Sequence, residues 1–396
     1  MENSSISIIK ERCCGCSACE QKCPKRAISM KSSSEGFLYP ALDESICINC
    51  GLCLKVCPIH QPEKNTKDAQ VGYASWVEDK EVLSNSSSGG IFYPLADFII
   101  SQNGYVCGCV NDETCLPKHI LSNNHYDILK MQGSKYVESY LGDIFSQVKG
   151  KLEQGVKVLF TGTPCQNAGL KKYLGKEYDG LICVDIICHG VPSRLLFGEY
   201  LNLQEKKYGG KITEYYFRSK NKHDWSLTFR MKVLIGKKTK IVEHMASLDP
   251  YYYAFLQGMT YRESCYQCPY SCLERVGDIT IGDFWGIENV DASLNNLEGV
   301  SAIILNSDKG KDVFDKVKNL LFSKEIPVSE IQKYNGNLNS PTKRPENRSV
   351  IYTKLNEVGF EKMAKQESKN NKYFVEYIKD CIPNRVRKKI KRIIRK

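Results

Sequence analysis

No run of about 18 apolar residues occurs in the 396-residue sequence, so no bilayer-spanning helix is expected. Residues 1–12 carry no long apolar stretch and no small-residue cleavage site, so no secretory leader is visible and a reducing, cytoplasmic setting is expected. That setting argues against a disulfide framework, which needs an oxidising compartment. Histidine is scarce, and His60, His119, His125, His223 and His244 fall in no constellation. Hydrophobic content of 42% and charged content of 26% are ordinary for a globular chain long enough for two or three domains. The net charge of +11 is uneven, because residues 385–396 hold eight Lys or Arg and no acid. Without them the net charge falls to +3, so the chain does not read as having a nucleic-acid-binding core.

What the sequence has in excess is cysteine, 19 in all. Eight lie in two matching runs, Cys13-x2-Cys16-x2-Cys19-x3-Cys23-Pro24 and Cys47-x2-Cys50-x2-Cys53-x3-Cys57-Pro58. This is the spacing of bacterial ferredoxins with two 4Fe–4S clusters, in which the fourth cysteine of each run ligates the other cluster. One cluster is therefore expected on Cys13, Cys16, Cys19 and Cys57, and the second on Cys47, Cys50, Cys53 and Cys23. Zinc sites use pairs of Cys-x2-Cys and no Cys-Pro triplet ending, which makes zinc the weaker reading. Cys14 stands outside the spacing and receives no role.

Residues 1–60 read as the two-cluster module, each half a strand, a cluster loop and a short helix. Residues 60–70 are polar and read as a linker. Strands are expected at 71–77, 104–110, 156–161, 181–187, 276–282 and 300–306. Helices are expected at 91–102, 167–174, 195–207 and 311–322, with an interrupted one over 349–380. Continuous apolar runs at 156–161 and 181–187 suit buried parallel strands. The fold class expected is an α+β ferredoxin-like module followed by a mixed α/β domain. Residues 211–242 carry strand patterns with no helix between them, and 333–348 read as loop.

Four more cysteines sit where chemistry collects. Cys165 and Cys188 each follow a buried strand, and ligands gather beyond the carboxyl ends of strands in open α/β sheets. With Cys265 and Cys268 they read as ligands of a third 4Fe–4S cluster. Buried thiols that only fill space are the alternative for Cys165 and Cys188.

Several short stretches, taken together and in order, resemble the beta subunit of coenzyme F420-reducing hydrogenases and dehydrogenases. They are Ser88-Gly89-Gly90, Gly133-Ser134-Lys135-Tyr136, Thr163-Pro164-Cys165-Gln166, Cys188-His189-Gly190, Cys265-x2-Cys268 and residues 278–285. The resemblance covers 71 to about 317 and places the family's cluster cysteines on Cys165, Cys188, Cys265 and Cys268. It divides the chain into a flavin-binding part at 71–190, a part with the third-cluster cysteines at 191–330, and a helical extension with a basic tail at 331–396. It implies electron transfer among iron–sulfur clusters, FAD and 8-hydroxy-5-deazaflavin. Relatives with a fused ferredoxin module include ferredoxin-fed flavin reductases, and similar bacterial chains are associated with surface polysaccharide assembly. Cys272, Trp285 and the strand-rich insertion near 211–253 depart from the deazaflavin-using members.

Clusters pass single electrons while most organic reductions need two, so FAD is the expected converter. Ser88, Gly89 and Gly90, before the 91–102 helix, could cradle its pyrophosphate, or form an ordinary turn. Lys135 could set a positive charge near the ring or a phosphate, and Tyr136 could pack on it. Thr161, Thr163 and Gln166 could bond the pyrimidine edge, and Asp283 the ribityl hydroxyls. Trp285 could stack on a ring or seal the site. His189 could protonate a substrate, or bond a cluster sulfur. The expected function is an iron–sulfur flavoprotein oxidoreductase passing electrons from a low-potential donor, such as ferredoxin or a redox subunit, to an organic small-molecule acceptor. An electron-transfer subunit and a redox sensor are the other readings. The tail interleaves Val386, Ile390, Ile393 and Ile394 with basic residues, which suits either a peripheral contact with the inner face of a membrane or a solvated tail.

Overall fold

The computed structural model of the chain describes residues 5–64, 70–220, 225–367, 371–382 and 386. His223 and all of the basic tail but Val386 lie outside them. In the N-terminal module, β1 (Ile28–Ser32) and β2 (Leu38–Leu42) form an antiparallel hairpin flanked by the short helices Ala18–Lys22 and Leu52–Lys55. Only the second half follows the expected order of strand, loop and helix. The first half opens with 3-10 turns at Ile6–Ile8 and Lys10–Arg12 instead of a strand. Ile6 and Ile9, three residues apart and buried, pack on Cys13, Cys19 and Cys57, and that spacing needs a turn of helix.

The rest of the chain is built on one large sheet. Its strands are β3 (Val71–Val77), β4 (Tyr105–Asn111), β5 (Pro117–Ser122), β6 (Val158–Gly162) and β7 (Leu181–Ile186), then, after β8 (Lys211–Tyr216), β9 (Thr228–Ile235) and β10 (Lys238–Met245), β11 (Ile279–Asp283), β12 (Ser301–Leu305) and β13 (Leu321–Glu325). Among the described residues the sheet has eight strands in the order β13-β3-β12-β11-β7-β6-β4-β5. Strands β4, β6, β7 and β11 are parallel neighbours, so their carboxyl ends share one edge. Cys165, Cys188 and Asp283 collect at that edge for this reason. The sheet draws strands from both sides of residue 190, so the 71–190 and 191–330 parts share it.

Strands β8, β9 and β10 form a separate antiparallel sheet, which is the strand-rich insertion expected from the sequence. It packs with the Arg194–Tyr208 and Pro250–Leu256 helices around Phe197, Tyr200, Tyr215, Phe217, Tyr251 and Tyr252. The Arg348–Glu367 helix closes this core with Ile351, Tyr352 and Phe360, and it kinks at Gly359 (φ 77°, ψ 168°). The expected helix 311–322 ends at Val317. Leu321–Glu325 instead pairs with β3 as β13, because Leu321 finds a buried place opposite Val77.

Two buried ion pairs fasten the sheet edge. Asp185 at the end of β7 is fully buried, and its Oδ1 accepts from Arg275 Nη2 at 2.8 Å and from Thr280 Oγ1 at 2.7 Å. Its Oδ2 accepts from the Gly277 N–H at 2.9 Å. Arg275 also donates to the carbonyls of Tyr270 and Cys272, which anchors the loop that carries Cys265 and Cys268. The second pair, Arg262 with Glu138, joins the cysteine loops.

Gly89 shows how tightly the sheet is covered. A Cβ there would lie 2.3 Å from the Ser75 carbonyl oxygen and 2.8 Å from the Ser301 nitrogen, both backbone atoms. Gly89→Ala should cost about 1–3 kcal/mol by overpacking. Gly150→Ala, in the Ile144–Glu153 helix with nothing within 4 Å, should stabilise by about 1 kcal/mol. Thermal unfolding of the two variants checks the pair, and equal melting temperatures would contradict it.

Candidate cluster and cofactor site

The two cysteine runs fold into loops with the same backbone hand. Gly15 (φ 72°) and Ser17 (φ 58°) in the first loop correspond to Asn49 (φ 53°) and Gly51 (φ 70°) in the second. Left-handed residues at these two places curl the backbone so that its N–H groups turn toward sulfur. Gly15 N donates to Cys13 Sγ at 3.4 Å and Asn49 N to Cys47 Sγ at 3.5 Å. The third cysteine of each run, Cys19 or Cys53, enters the first turn of a helix. Cys23, Cys47, Cys50 and Cys53 line one hollow beside Pro24 and Leu52. Cys13, Cys16, Cys19 and Cys57 are all buried together. Burial raises the Cys19 thiol pKa, and the nearby Cys13 and Cys57 raise it further. None of the 19 cysteines forms a disulfide.

Cys165, Cys188, Cys265 and Cys268 come together although up to 103 residues separate them in sequence. Burial pushes the Cys188 thiol up to about 12, with Cys165 and Cys268 adding to it. Cys265 is raised by burial and then by Cys188, Cys268 and Cys165. Among the described residues no three His, Cys, Asp or Glu side chains converge on a point that could hold a single metal ion. A donor set of four cysteines fits 4Fe–4S chemistry, and the Cys23, Cys47, Cys50 and Cys53 set lines a hollow. Cys272 stays outside this group, with its Sγ directed to the carbonyls of Pro269 and Glu274.

The spacing of the runs leaves Cys14 unassigned, and the structure places it between two of the sets. Its thiol bonds to both Cys16 and Cys165, and its pKa is pushed well above the ordinary value, first by the Cys16 bond. The helix Pro164–Leu174 joins the same two sets. Cys165 lies in its first turn, and one turn later Gly169 packs on Cys16, whose Cβ and Sγ lie 3.0 Å from where a Gly169 Cβ would be.

Arg262 is a residue that the sequence does not single out. It is fully buried, three residues before Cys265. Its Nε donates to the Cys13 carbonyl at 2.5 Å, Nη1 to Glu138 Oε1 at 2.5 Å and Nη2 to the Leu38 carbonyl at 2.6 Å. Its own backbone N–H donates to Val191, and its carbonyl accepts from Cys265 N at 2.9 Å. One guanidinium thus ties the first cysteine loop to the loops carrying Cys188 and Cys265. Gly15 must be glycine here, because a Cβ would lie 2.7 Å from Glu138 Oε1 and 2.9 Å from Arg262 Nη1. Tyr270 adds a second tie, its hydroxyl donating to the Pro58 carbonyl at 2.6 Å.

Of the residues nominated for a flavin, Lys135 and Tyr136 lie in the segment 132–140, which also meets the loop before Ser88 and the side chain of Gln166. Ser134 N donates to Ser87 Oγ at 2.7 Å, which brings the two glycine-containing loops together. Ser88 Oγ donates to the Val300 carbonyl and Gly89 N to Ser301 Oγ, both at 2.9 Å, so these two donors serve the sheet and not a phosphate. Gly90 (φ 83°) leads into the Phe92–Ser101 helix. Lys135 caps the His125–Met131 helix: its ammonium lies 2.9–3.2 Å from the carbonyls of Lys130, Met131, Gln132 and Gly133, with its three protons shared among the four. Burial lowers its pKa to about 8, with Cys109 opposing.

Tyr136 stacks on Phe255, and its hydroxyl accepts from Arg218 at 3.3 Å. Asp283 is held by Arg218 Nη1 at 2.7 Å and by Trp225 Nε1 at 3.0 Å. Trp285 stacks on Trp225 with ring centres 5.3 Å apart. His189 is exposed beside this group. The crowding around it lowers its pKa, and the Asp283 carboxylate opposes the change. Lys220, another residue the sequence does not mark, donates to the carbonyls of Leu83 at 2.5 Å and Ser88 at 2.7 Å. Burial and then the neighbouring Arg218 lower its pKa to about 7. A half-buried cation beside a second cation is a setting that an anion relieves. With the nearby N-terminus of the Phe92–Ser101 helix, it fits a phosphate-bearing cofactor.

Thr161, Thr163 and Gln166 form a different network. Thr163 and Gln166 make a reciprocal capping box on the Pro164–Leu174 helix, and Thr163 Oγ1 lies 3.1 Å from Cys165 Sγ. Gln166 Nε2 donates to Ser139 Oγ at 3.0 Å, and Ser139 Oγ meets His119 Nδ1 at 2.8 Å. His119 Nε2 lies 3.1 Å from the Thr161 carbonyl. A carbonyl only accepts, so the proton sits on Nε2 and Ser139 donates to Nδ1. Burial depresses the His119 pKa to about 4.

Arg262→Gln leaves Glu138 buried without its partner and should cost about 3–5 kcal/mol. Combining Arg262→Met with Glu138→Leu should recover most of that loss in denaturant unfolding. A double variant as unstable as the single would contradict it. His119 takes up its proton more readily when unfolded, because its folded pKa lies below the ordinary 6.5. Stability should therefore fall as pH drops through 6.5 toward 4. His119→Gln should flatten that part of the profile, and melting curves that do not move as the pH is lowered through that window would contradict the assignment.

Residues 12–60 match the 4Fe–4S dicluster domain, and residues 155–331 match the C-terminal family of the coenzyme F420 hydrogenase/dehydrogenase beta subunit. The chain is 27% identical over 192 residues to the coenzyme F420-dependent sulfite reductase of Methanocaldococcus jannaschii, covering 48% of this chain and 29% of that protein. It is 20% identical over 197 residues to a subunit of the F(420)H(2) dehydrogenase of Methanosarcina mazei, covering 45% of this chain and 55% of that one. The matches thus span little more than half of one relative and under a third of the other. A chain of the F420-reducing [NiFe] hydrogenase complex from Methanosarcina barkeri aligns at 18% identity with a TM-score of 0.42, over 76% of this chain and 91% of that chain. The protein thus carries a match to the two-cluster 4Fe–4S domain at residues 12–60, followed by a match to the C-terminal family of the coenzyme F420 hydrogenase/dehydrogenase beta subunit at 155–331.

Proposed function

We propose that the chain is an iron–sulfur flavoprotein oxidoreductase that takes electrons from a low-potential donor such as ferredoxin and delivers them to an organic acceptor. The single observation that carries this reading is the contrast between the two cysteine loops. Cys50 is exposed, and Ile46 and Ile48 beside it are 47% and 55% exposed, so the second loop is open to a docking donor. The first loop is buried against Arg262, Cys14 and Gly169, next to Cys165. The polypeptide therefore lays out an outer set, an inner set and a third set in sequence from surface to sheet edge.

Cys13, Cys16, Cys19 and Cys57 would hold one cluster, Cys23, Cys47, Cys50 and Cys53 another, and Cys165, Cys188, Cys265 and Cys268 the third. Lys220, Arg218 and the Phe92–Ser101 helix N-terminus would bind the FAD phosphates. When bound, these groups supply one-electron transfer and its conversion to two-electron chemistry. The chain's own residues do the rest. Arg262 and Tyr270 hold the first and third sets at fixed separation. Trp225 and Trp285 wall the Asp283 side against water. His189, exposed and within the field of Asp283, would be the group that passes a proton to an acceptor, with the Asp283 carboxylate opposing the loss of that proton. The acceptor is deazaflavin-like or another organic molecule, such as an unsaturated pigment-like compound or a sugar intermediate of polysaccharide biosynthesis. The Methanosarcina mazei relative is one part of a larger dehydrogenase, which favours a second reading in which a partner completes the substrate site.

Anaerobic purification with iron, sulfide and flavin counted per chain tests the proposal. About twelve irons and one FAD are expected from three cubes. Cys165→Ser with Cys188→Ser should remove about four irons and leave about eight. About eight irons in the unsubstituted protein would sink the third cluster, and no flavin would sink the FAD assignment. Turnover of reduced ferredoxin by the isolated chain separates the enzyme from the partner-dependent reading.

A further inference from the structure

A cavity of about 260 Å³ opens at the seam between the N-terminal module and the loop that carries Cys265 and Cys268. It lies where the Lys10–Arg12 turn packs on the Glu263–Gln267 turn. Its polar lining is Arg12, His60, Ser264 and Gln267, with Ile59 and two prolines as apolar walls. The volume is well above the ~10–15 Å³ that one water needs, so a small molecule fits. Each polar residue sits close in sequence to a cysteine of a proposed set. Arg12 precedes Cys13, Ser264 precedes Cys265, Gln267 precedes Cys268, and His60 lies three residues past Cys57.

The chemistry of this lining is one-sided. A guanidinium has five N–H donors, and the hydroxyl, amide and imidazole each add at least one. Among the described residues none of these four side chains has a hydrogen-bond or ion-pair partner, and Ser264 lacks one although it is only 8% exposed. No lining residue is acidic. Of the acids beside them in sequence, Glu263 is held by Arg344 at 2.8 and 2.9 Å and by Arg348 at 3.1 Å. Glu63 pairs with Lys172, and Glu11 is exposed outside the lining. Arg12 repels a cation, and a wholly apolar guest leaves the donors unmade. Donors arriving from three separate segments suit an anion with oxygens on several sides. We propose that this cavity binds a small tetrahedral oxyanion, phosphate or sulfate, free or as the head of a small ester, and that its occupancy opposes electron entry into the cysteine sets beside it. Burial raises the Cys57 thiol pKa, and Arg12 is among the smaller influences that oppose the rise, so its charge is felt within the first set. A bound anion offsets that charge. Reduction adds negative charge to the same sets, so anion and electron disfavour each other reciprocally. The coupling rests on the iron–sulfur reading, whereas the binding does not.

The test is anaerobic titration calorimetry of the full-length protein with its cofactors against inorganic phosphate, sulfate and acetate at matched ionic strength. Phosphate and sulfate are expected to compete for one site and acetate to leave it unfilled. Chemical reduction of the protein should weaken the binding. Arg12→Gln should weaken it about tenfold or more, as loss of a charge-assisted hydrogen bond does. His60→Glu, which sets a carboxylate in the cavity at an exposed position, should abolish it. Lys31→Gln, exposed on β1 of the same module, should leave it unchanged. Retained iron content shows that the cysteine loops are intact, and where Arg12→Gln loses iron, His60→Glu decides. No binding of either oxyanion by the unsubstituted protein, or equal binding by the His60→Glu protein, would overturn the site. Binding of acetate as tight as that of phosphate would overturn the tetrahedral preference. Equal affinity in the oxidised and reduced states, in protein with its full iron, would overturn the coupling. The iron count reports separately on the cluster reading.

Discussion

The buried guanidinium of Arg262 is the constraint on which the arrangement of cysteine sets rests. It takes the Cys13 carbonyl, the Leu38 carbonyl and Glu138 with three different nitrogens, while its own backbone spans Val191 and Cys265. An isolated buried charge is unfavourable, and pairing with Glu138 is what allows it to stay inside. Arginine suits the place because its planar fork reaches three acceptors in fixed directions, which a lysine could not do. Through this one side chain the small N-terminal module, which has little apolar core of its own, borrows rigidity from the large sheet. Tyr270 and the Cys16–Gly169 contact act in the same direction.

The segment 132–140 does comparable service for the sheet edge. Ser134 meets the Ser87 loop, Lys135 caps a helix, Tyr136 receives Arg218, Glu138 receives Arg262 and Ser139 bridges His119 to Gln166. Tyr136 thus meets Arg218, which holds Asp283, while Glu138 two residues on meets Arg262 at the first cysteine loop. A displacement of this stretch would reach both.

Much of this is legible in the sequence where a local rule applies. The fixed cysteine spacing, the continuous apolar runs of β6 and β7 and the exchange of helical for alternating patterns in the insertion each depend on neighbours in the chain. Leu321–Glu325 passes for helix because its apolar pair, Leu321 and Phe322, suits either period, and only the pairing with β3 decides. β5 escapes notice because it opens on Pro117, an edge-strand feature with a weak local signal. Arg218, Lys220 and Arg262 do not stand out, since a lysine or arginine that will be buried looks like any surface one until its partner is known, 65 residues away for Arg218 and 124 for Arg262. Lys135 is legible as unusual in its motif, yet its partners are the carbonyls of a helix end, which sequence does not advertise. Cys14 breaks the repeat, and its neighbour in space, Cys165, is supplied by a different domain.

The tie between Cys13 and Arg262 joins residues 249 positions apart. A chain emerging from the ribosome makes its first cysteine loop long before the residue that will brace it. The inner loop therefore reaches its final shape only after Arg262 has been synthesised, whereas the outer loop depends on near neighbours.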